Sequence, residues 1–316
     1  MRRRLLAVAA LVLLAACGGG SDGSTVRVAL NWFPEHEHGG YYEALAGGGY
    51  RTAGLDVRIL PGGPQAPVLS RVASGDVEYG VVNADDVLVG RAAGVAVVAV
   101  MAPIQTSPVC VMVHAASGFT TLQDIRDVTL AVQIASPYWQ FMKPRLPLPG
   151  VTVVPYTGTI AEFLTNPKYA QQAYVISEPI LARAKGADPR CLLVAELGFN
   201  PYTSVLVTSE ARLRDDPEQV RRMVTASAEG WTRYLANPTV GNDAILAVNP
   251  EMGRETLERG VEALVPLVRV DGVAMGSMTA ARWQTLAQQL RAAGVLATEV
   301  DPTRAWDARF LPSPES

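Results

Sequence analysis

The loop NWFPEHEHGGYYEAL, residues 31–45, gathers aromatic rings, carboxylates and two of the chain's three histidines beside two glycines. Trp32 and Tyr42 can stack on a flat ligand, and Asn31 can both donate and accept hydrogen bonds. His38 is a candidate polar contact, and Gly39 and Gly40 can present backbone amides at a helix start. The packing alternative places Trp32 and Tyr42 between sheet and helix. His36-Glu37-His38 has ligand types that zinc accepts, but spacing fixes no further ligand and His114 falls on a separate segment, so no metal is assigned. In VVNADDVL, residues 81–88, Asn83 ends a strand-like run, and Asp85 and Asp86 open a helix. There they gain from the helix dipole and can accept from an amine or ring nitrogen. SPYWQ, residues 136–140, repeats the pattern of a polar turn followed by aromatics, so Tyr138 or Trp139 can form a second stacking wall. Ser177-Glu178-Pro179 adds a carboxylate at another helix start.

Side chains of this kind need strand ends to hold them. Strand-like runs fall at 26–30, 56–60, 79–82, 95–100, 129–133, 152–155, 173–176, 191–195 and 204–208, with helical stretches among them, the pattern of parallel sheets covered by helices. Helices are predicted over 41–53, 85–93, 217–236, 250–264 and 279–293, with a capping box of Thr120 and Gln123 before a shorter one. Pro103 and Pro108 break the rhythm where the chain crosses into a second lobe, and the turn-rich stretch 198–202 marks the return. One lobe then comprises 25–108 and 203–316, the other 109–202. Ligands of such sheets bind beyond the carboxyl ends of strands, where the candidates above lie.

The 316 residues, 49% hydrophobic and 18% charged with a net charge of -3, suit a globular chain with a sizeable core. That balance excludes a nucleic-acid footprint, which needs clustered Lys and Arg. Arg2, Arg3 and Arg4 precede an apolar run ending in Leu14-Ala15-Ala16-Cys17, which resembles a bacterial lipobox with Cys17 as the lipidated residue. Residues 18–24 then read as a flexible tether. Cys110 and Cys191 are read as two buried free thiols. The chain lacks G-x-S-x-G, H-E-x-x-H, Walker A and dinucleotide-binding glycine motifs.

LNWFPEHEHGGYYEA, the stretch GGYRTAGLDVRI (48–59), SGDVEYGVVNADDVLVGRAAGVAVVAV (74–100), AYVISEP (173–179) and GFNPYTSVLVTSE (198–210) together resemble the thiamine-precursor and sulfonate type of transporter binding proteins. The resemblance covers almost the whole chain after the tether. It implies a type II periplasmic-binding fold, two α/β lobes joined by a double-crossover hinge. It also implies a monomer that hands a small-molecule ligand to an ABC permease and ATPase, outside the cytoplasm and held to a membrane by its lipid. Ligands in the family range over thiamine-type pyrimidines, sulfonates, nitrate and flavin-like molecules, and the tryptophan loop with the paired acids resembles the pyrimidine branch. From GFNPYT the resemblance adds Asn200 and Tyr202 to the ligand set. An enzymatic relative, the fungal pyrimidine synthase, uses a lysine, a histidine and a cysteine-rich motif where this chain has Val82, Asp86 and FNPYT. A binding protein without cofactor is therefore expected rather than an enzyme, with an exported pyrimidine enzyme as the distant alternative.

Overall fold

The computed structural model describes residues 25–312, so the Cys17 anchor and the 18–24 tether lie outside the described residues. Strands and helices alternate from the start: β1 (Val26–Ala29), α1 (Gly39–Ala46), α2 (Gly49–Thr52), β2 (Val57–Leu60), α3 (Val68–Ser74), β3 (Tyr79–Val82), α4 (Ala84–Ala92) and β4 (Val97–Met101). After the proline-bearing crossing come β5 (Val109–His114), β6 (Thr129–Val132), α5 (Pro137–Met142), β7 (Thr152–Pro155), α6 (Ala161–Thr165), β8 (Tyr169–Tyr174), α7 (Glu178–Ala184) and β9 (Pro189–Leu193). The return leads into β10 (Val205–Ser209), α8 (Glu210–Asp215), α9 (Pro217–Ala236), α10 (Thr239–Val248), α11 (Arg254–Val268) and α12 (Ala280–Ala292).

These strands form two five-stranded sheets of the same plan, β2-β1-β3-β10-β4 and β7-β6-β8-β5-β9. In each sheet the fourth strand runs antiparallel to both neighbours, β10 against β3 and β4, and β5 against β8 and β9. It is also the first strand after a crossing. The two crossing segments touch through an Ile104–Thr203 antiparallel bridge. The fold is thus the expected two α/β lobes with a double crossover.

Helix α9 carries the core beneath the first sheet. Its buried Trp231 meets Tyr41 edge-on with ring centroids 5.8 Å apart and Tyr234 edge-on at 6.2 Å. A Cβ on Gly39 would lie 2.0 Å from the Tyr234 ring, and one on Gly40 would lie 2.2 Å from Trp231. The expectation that these glycines present amides to a ligand is therefore corrected: both are buried and let α1 approach α9.

Several boundaries differ from the sequence reading. The helix expected over 41–53 breaks at Gly47-Gly48, where Gly48 adopts φ +77° and α2 starts afresh. The strand placed at 173–176 is Tyr169–Tyr174, because the polar pair Gln171-Gln172 lies inside it with Gln171 fully buried. Helix α10 was not anticipated, and α11 begins only after Gly253 and continues past Pro266. The capping box joins Thr121 to Asp124 rather than Thr120 to Gln123. Cys110 and Cys191 are not free thiols. Met112 pairs with Cys191 and Cys110 with Leu193 across β5 and β9, which sets the two cysteines diagonally on one face, Cα atoms 5.6 Å apart, disulfide-bonded.

Candidate functional site

A cavity of about 600 Å³ opens where the carboxyl ends of both sheets face each other. The first lobe contributes Asn31, Trp32, Glu35 and Glu37 from the loop after β1, and Asn83, Asp85 and Asp86 from the β3–α4 junction. The second contributes Gln133 and Tyr138 after β6, Tyr156 after β7, and Tyr174, Ser177 and Glu178 around the end of β8. Ser107 and Thr203 of the crossing segments close the floor.

Each anchor has a local cause. The Trp32 carbonyl accepts from the Gly62 amide at 3.0 Å, and the indole meets the exposed Phe33 ring edge-on. Asn83 caps α4: its backbone N–H donates to Asp86 Oδ2 at 3.1 Å, the capping-box geometry, so Asp86 is partly occupied by its own helix. Asp85 is buried and its Oδ1 has no partner among the described residues. Glu178 accepts from the Tyr156 hydroxyl at 2.9 Å and from the Tyr174 amide at 2.8 Å. Tyr138 donates its hydroxyl to Gln172, whose side chain also accepts from the Gln133 amide.

Among the described residues, hydrogen bonds span the cleft. Ser177 Oγ donates to Glu35 Oε2 at 2.9 Å, and Asn83 Nδ2 donates to the Tyr174 hydroxyl at 3.2 Å.

The cavity brings together Asn31, Trp32, Asn83, Asp85, Asp86, Tyr138 and Glu178 of the residues singled out from sequence. It does not include the other five. His38 is fully buried behind the loop, its Nε2 donating to Asn31 Oδ1 at 3.1 Å and lying 3.3 Å from Glu37 Oε1. Burial and the neighbouring His36 push its pKa down to about 3, so it is a neutral support for Asn31 and Glu37, not their ion-pair partner. Tyr42 is buried away from the cavity, and Trp139, one residue and about 100° of helix beyond Tyr138, packs in the core. Asn200 and Tyr202 serve the crossings instead. Asn200 Oδ1 accepts from the Ser107 amide at 2.7 Å, joining the two segments. The Tyr202 hydroxyl accepts from the Thr279 amide at 3.0 Å, with the Arg282 guanidinium 3.7 Å above its ring. Arg282 itself donates to the carbonyls of Gln105 and Asn200, one in each crossing segment.

Sequence reasoning missed Glu35 and Glu37, both buried and both lining the cavity. The signal was present in Pro-Glu-His-Glu-His, where a tight 3-10 turn over His36–His38 sends the imidazoles and the carboxylates to different sides. His36 points away from the cavity, with its ring against Gly260, where a Cβ would lie 2.4 Å from Nδ1. His114, on β5, stacks on Phe163 with centroids 4.0 Å apart.

Five carboxyls thus line the cavity, and no Lys, Arg or His does among the described residues. Burial is the first cause of raised pKa in all five. Glu35 is pushed up to about 8, with Glu178 adding repulsion, and Asp85 to about 8, with Asp86 adding repulsion. Glu37 lies well above its ordinary value, and Asp86 and Glu178 are raised. A site of this kind accepts hydrogen bonds from N–H and O–H donors or holds positive charge, and it repels anions.

Residues 35–240 match the family described as NMT1/THI5 like. The chain belongs to that family. The riboflavin-binding protein RibY of Chloroflexus aurantiacus is 28% identical over 308 residues, covering 91% of this chain and 86% of RibY. The formylaminopyrimidine-binding protein of Halalkalibacterium halodurans is 22% identical over 301 residues, covering 90% and 91%. Among solved structures, the periplasmic aliphatic sulphonate binding protein SsuA of Escherichia coli superposes with a TM-score of 0.71 at 13% identity, covering 92% of this chain and 95% of that one. The desulfurization enzyme DSZB shares the fold too, with a TM-score of 0.61 at 14% identity, so the NMT1/THI5-like architecture alone does not separate binding from catalysis.

Proposed function

We propose that this NMT1/THI5-like protein is the substrate-binding component of an ABC importer and captures a flat nitrogen heterocycle rich in N–H and O–H donors, a thiamine-type aminopyrimidine. The observation that carries the reading is the cavity lined, among the described residues, by five carboxyls and no cationic side chain. Sulfonate and nitrate, which need positive charge or many donors, are poorly served by it. Trp32 and Tyr138, from opposite lobes, supply the stacking faces. Asn83, Asp85, Glu35, Glu37 and Glu178 meet the donor edge. The formylaminopyrimidine-binding relative supports the pyrimidine. A flavin is the second reading, favoured by RibY and by a volume of about 600 Å³, which suits a drug-sized ligand better than a single ring.

Calorimetry with 4-amino-5-hydroxymethyl-2-methylpyrimidine, riboflavin and taurine tests the assignment. A heterocycle binds saturably and returns unchanged, while taurine gives no heat; tighter binding of taurine would overturn it. Trp32→Ala weakens the heterocycle by up to about tenfold, the worth of one aromatic stack beyond its buried area. Unchanged affinity removes Trp32 from the site.

The crossing segments act as a hinge between units 25–108 with 203–316 and 109–202, working as a monomer outside the cytoplasm with a permease and ATPase. No helix of the described residues is long and apolar enough to cross a membrane. Attachment is assigned to a lipid on Cys17: the expressed full chain partitions into a detergent phase, and Cys17→Ala moves it to the aqueous phase. Equal partitioning of the two sinks the anchor.

A further inference from the structure

Glu35 and Glu37 come from the first lobe and Glu178 from the second, all three line the cavity, and Ser177, the residue before Glu178, bonds to Glu35 across it. They are close enough that Glu178 acts on both Glu35 and Glu37, and Glu35 acts on Glu37. Glu35 and Glu37 are 6% and 2% exposed. Contacts within the protein account for part of their capacity. Ser177 donates to Glu35 and Tyr156 to Glu178, but Glu37 Oε2, buried and on the cavity wall, has no partner among the described residues.

None of the surrounding groups supplies positive charge. From their own loop come His36 and His38, both kept neutral by burial, and from the second lobe come the hydroxyls of Tyr138, Tyr156 and Tyr174. Helix α9 brings Tyr234, and α4 brings two further acids, Asp85 and Asp86. Bringing ionised Glu178 up to ionised Glu35 and Glu37 in a water-poor cleft is therefore opposed by both repulsion and desolvation.

We propose that Glu35, Glu37 and Glu178 form a charge gate on closure: the lobes come together only when a proton or the positive edge of a ligand enters between the first lobe's pair and the second lobe's single carboxyl. The gate rests on the binding reading above for its physiological key, but protons alone operate it. With the gate neutralised, the cross-lobe bonds Ser177–Glu35 and Asn83–Tyr174 form and hold the lobes together. With the gate ionised and empty, the lobes stand apart, and a ligand without a donor or cationic edge does not shut them however well it stacks.

The sign follows from the carboxyls. Their protonated form is favoured in the closed cleft, so closure binds protons. It is fully favoured near pH 4.5, the ordinary value, and lost as pH rises through about 8, the raised value of Glu35. Small-angle X-ray scattering of the ligand-free full chain between pH 5 and 8.5 reads this. The radius of gyration is expected to increase with pH, and Glu178→Gln is expected to shift the midpoint of that expansion upward by about one to two pH units. Glu218→Gln, exposed on α9 and away from the cavity, is the control. A wild-type radius indifferent to pH overturns the gate even if a heterocycle binds, and so does a Glu178→Gln variant that follows the wild-type curve. If neither 4-amino-5-hydroxymethyl-2-methylpyrimidine nor riboflavin binds, yet compaction follows pH as described, the ligand assignment falls and the gate stands.

Discussion

Glu37→Gln lowers affinity for the bound heterocycle by roughly 10- to 150-fold, while raising the thermal stability of the empty protein above pH 5. The first effect is the loss of a charge-assisted hydrogen bond, about 1.5–3 kcal/mol, at a buried oxygen with no other partner among the described residues. The second has the opposite sign because the same carboxyl is a burden without ligand. Its pKa is raised well above 4.5, first by burial and then by Glu35 and Glu178. Folding must therefore take up a proton, and the stability present below pH 4.5 is lost as pH rises toward the folded value. Glutamine carries no such dependence, so the gap in melting temperature between variant and wild type widens from pH 5 to 8. Calorimetric titration and thermal melts on one preparation check both halves. Equal affinity, or a variant that melts lower at pH 8, contradicts the placement of Glu37.

Cys110→Ser with Cys191→Ser is expected to cost about 4–5 kcal/mol of unfolding free energy, the chain-entropy worth of a loop of this size. The cysteines are 81 residues apart, and the loop they close contains nearly the whole second sheet. The stabilisation acts mainly on the unfolded chain. Reduced wild type should thus unfold at the same denaturant concentration as the double variant, both well below the oxidised protein. A loss under 1 kcal/mol would show that the bridge does not form or restrains little.

How much of this was legible in the sequence depends on the kind of information each feature needs. Strands such as Tyr79–Val82 and Thr152–Pro155, and helix Pro217–Ala236, fell where local pattern put them, because apolar runs, prolines and caps are local facts. The two crossings showed as breaks in rhythm for the same reason. The cysteine pairing was not legible, since it depends on the antiparallel register of β5 with β9, which no local pattern states. Gln171-Gln172 misled because a polar pair inside a strand looks like its end; the partners of Gln172, Gln133 and Tyr138, are 39 and 34 residues upstream. In the site, residue types at strand ends located the cavity, but not which side chains turn into it. Tyr138 and Trp139 are adjacent, yet only the first lines it. In Glu35–His38 the histidines stand out by type, although the carboxylates line the cavity and only the His38 imidazole touches one of them, Glu37. Asn200 and Tyr202, chosen by likeness, hold the hinge strands.

That last substitution of roles bears on how the lobes travel. Arg282 bonds to one carbonyl in each crossing segment and lies over Tyr202, while its own helix, α12, packs against α4 of the first lobe and α5 of the second. The two connections are thus gripped by a single planar group and cannot slide past each other without breaking its bonds. The proposed swing is then left with one axle. A door on one axle meets its frame at the same place each time it shuts, so the exposed Phe33 beside Trp32 and the exposed Ile134 beside Gln133, one on each rim, would return to a constant spacing in every cycle.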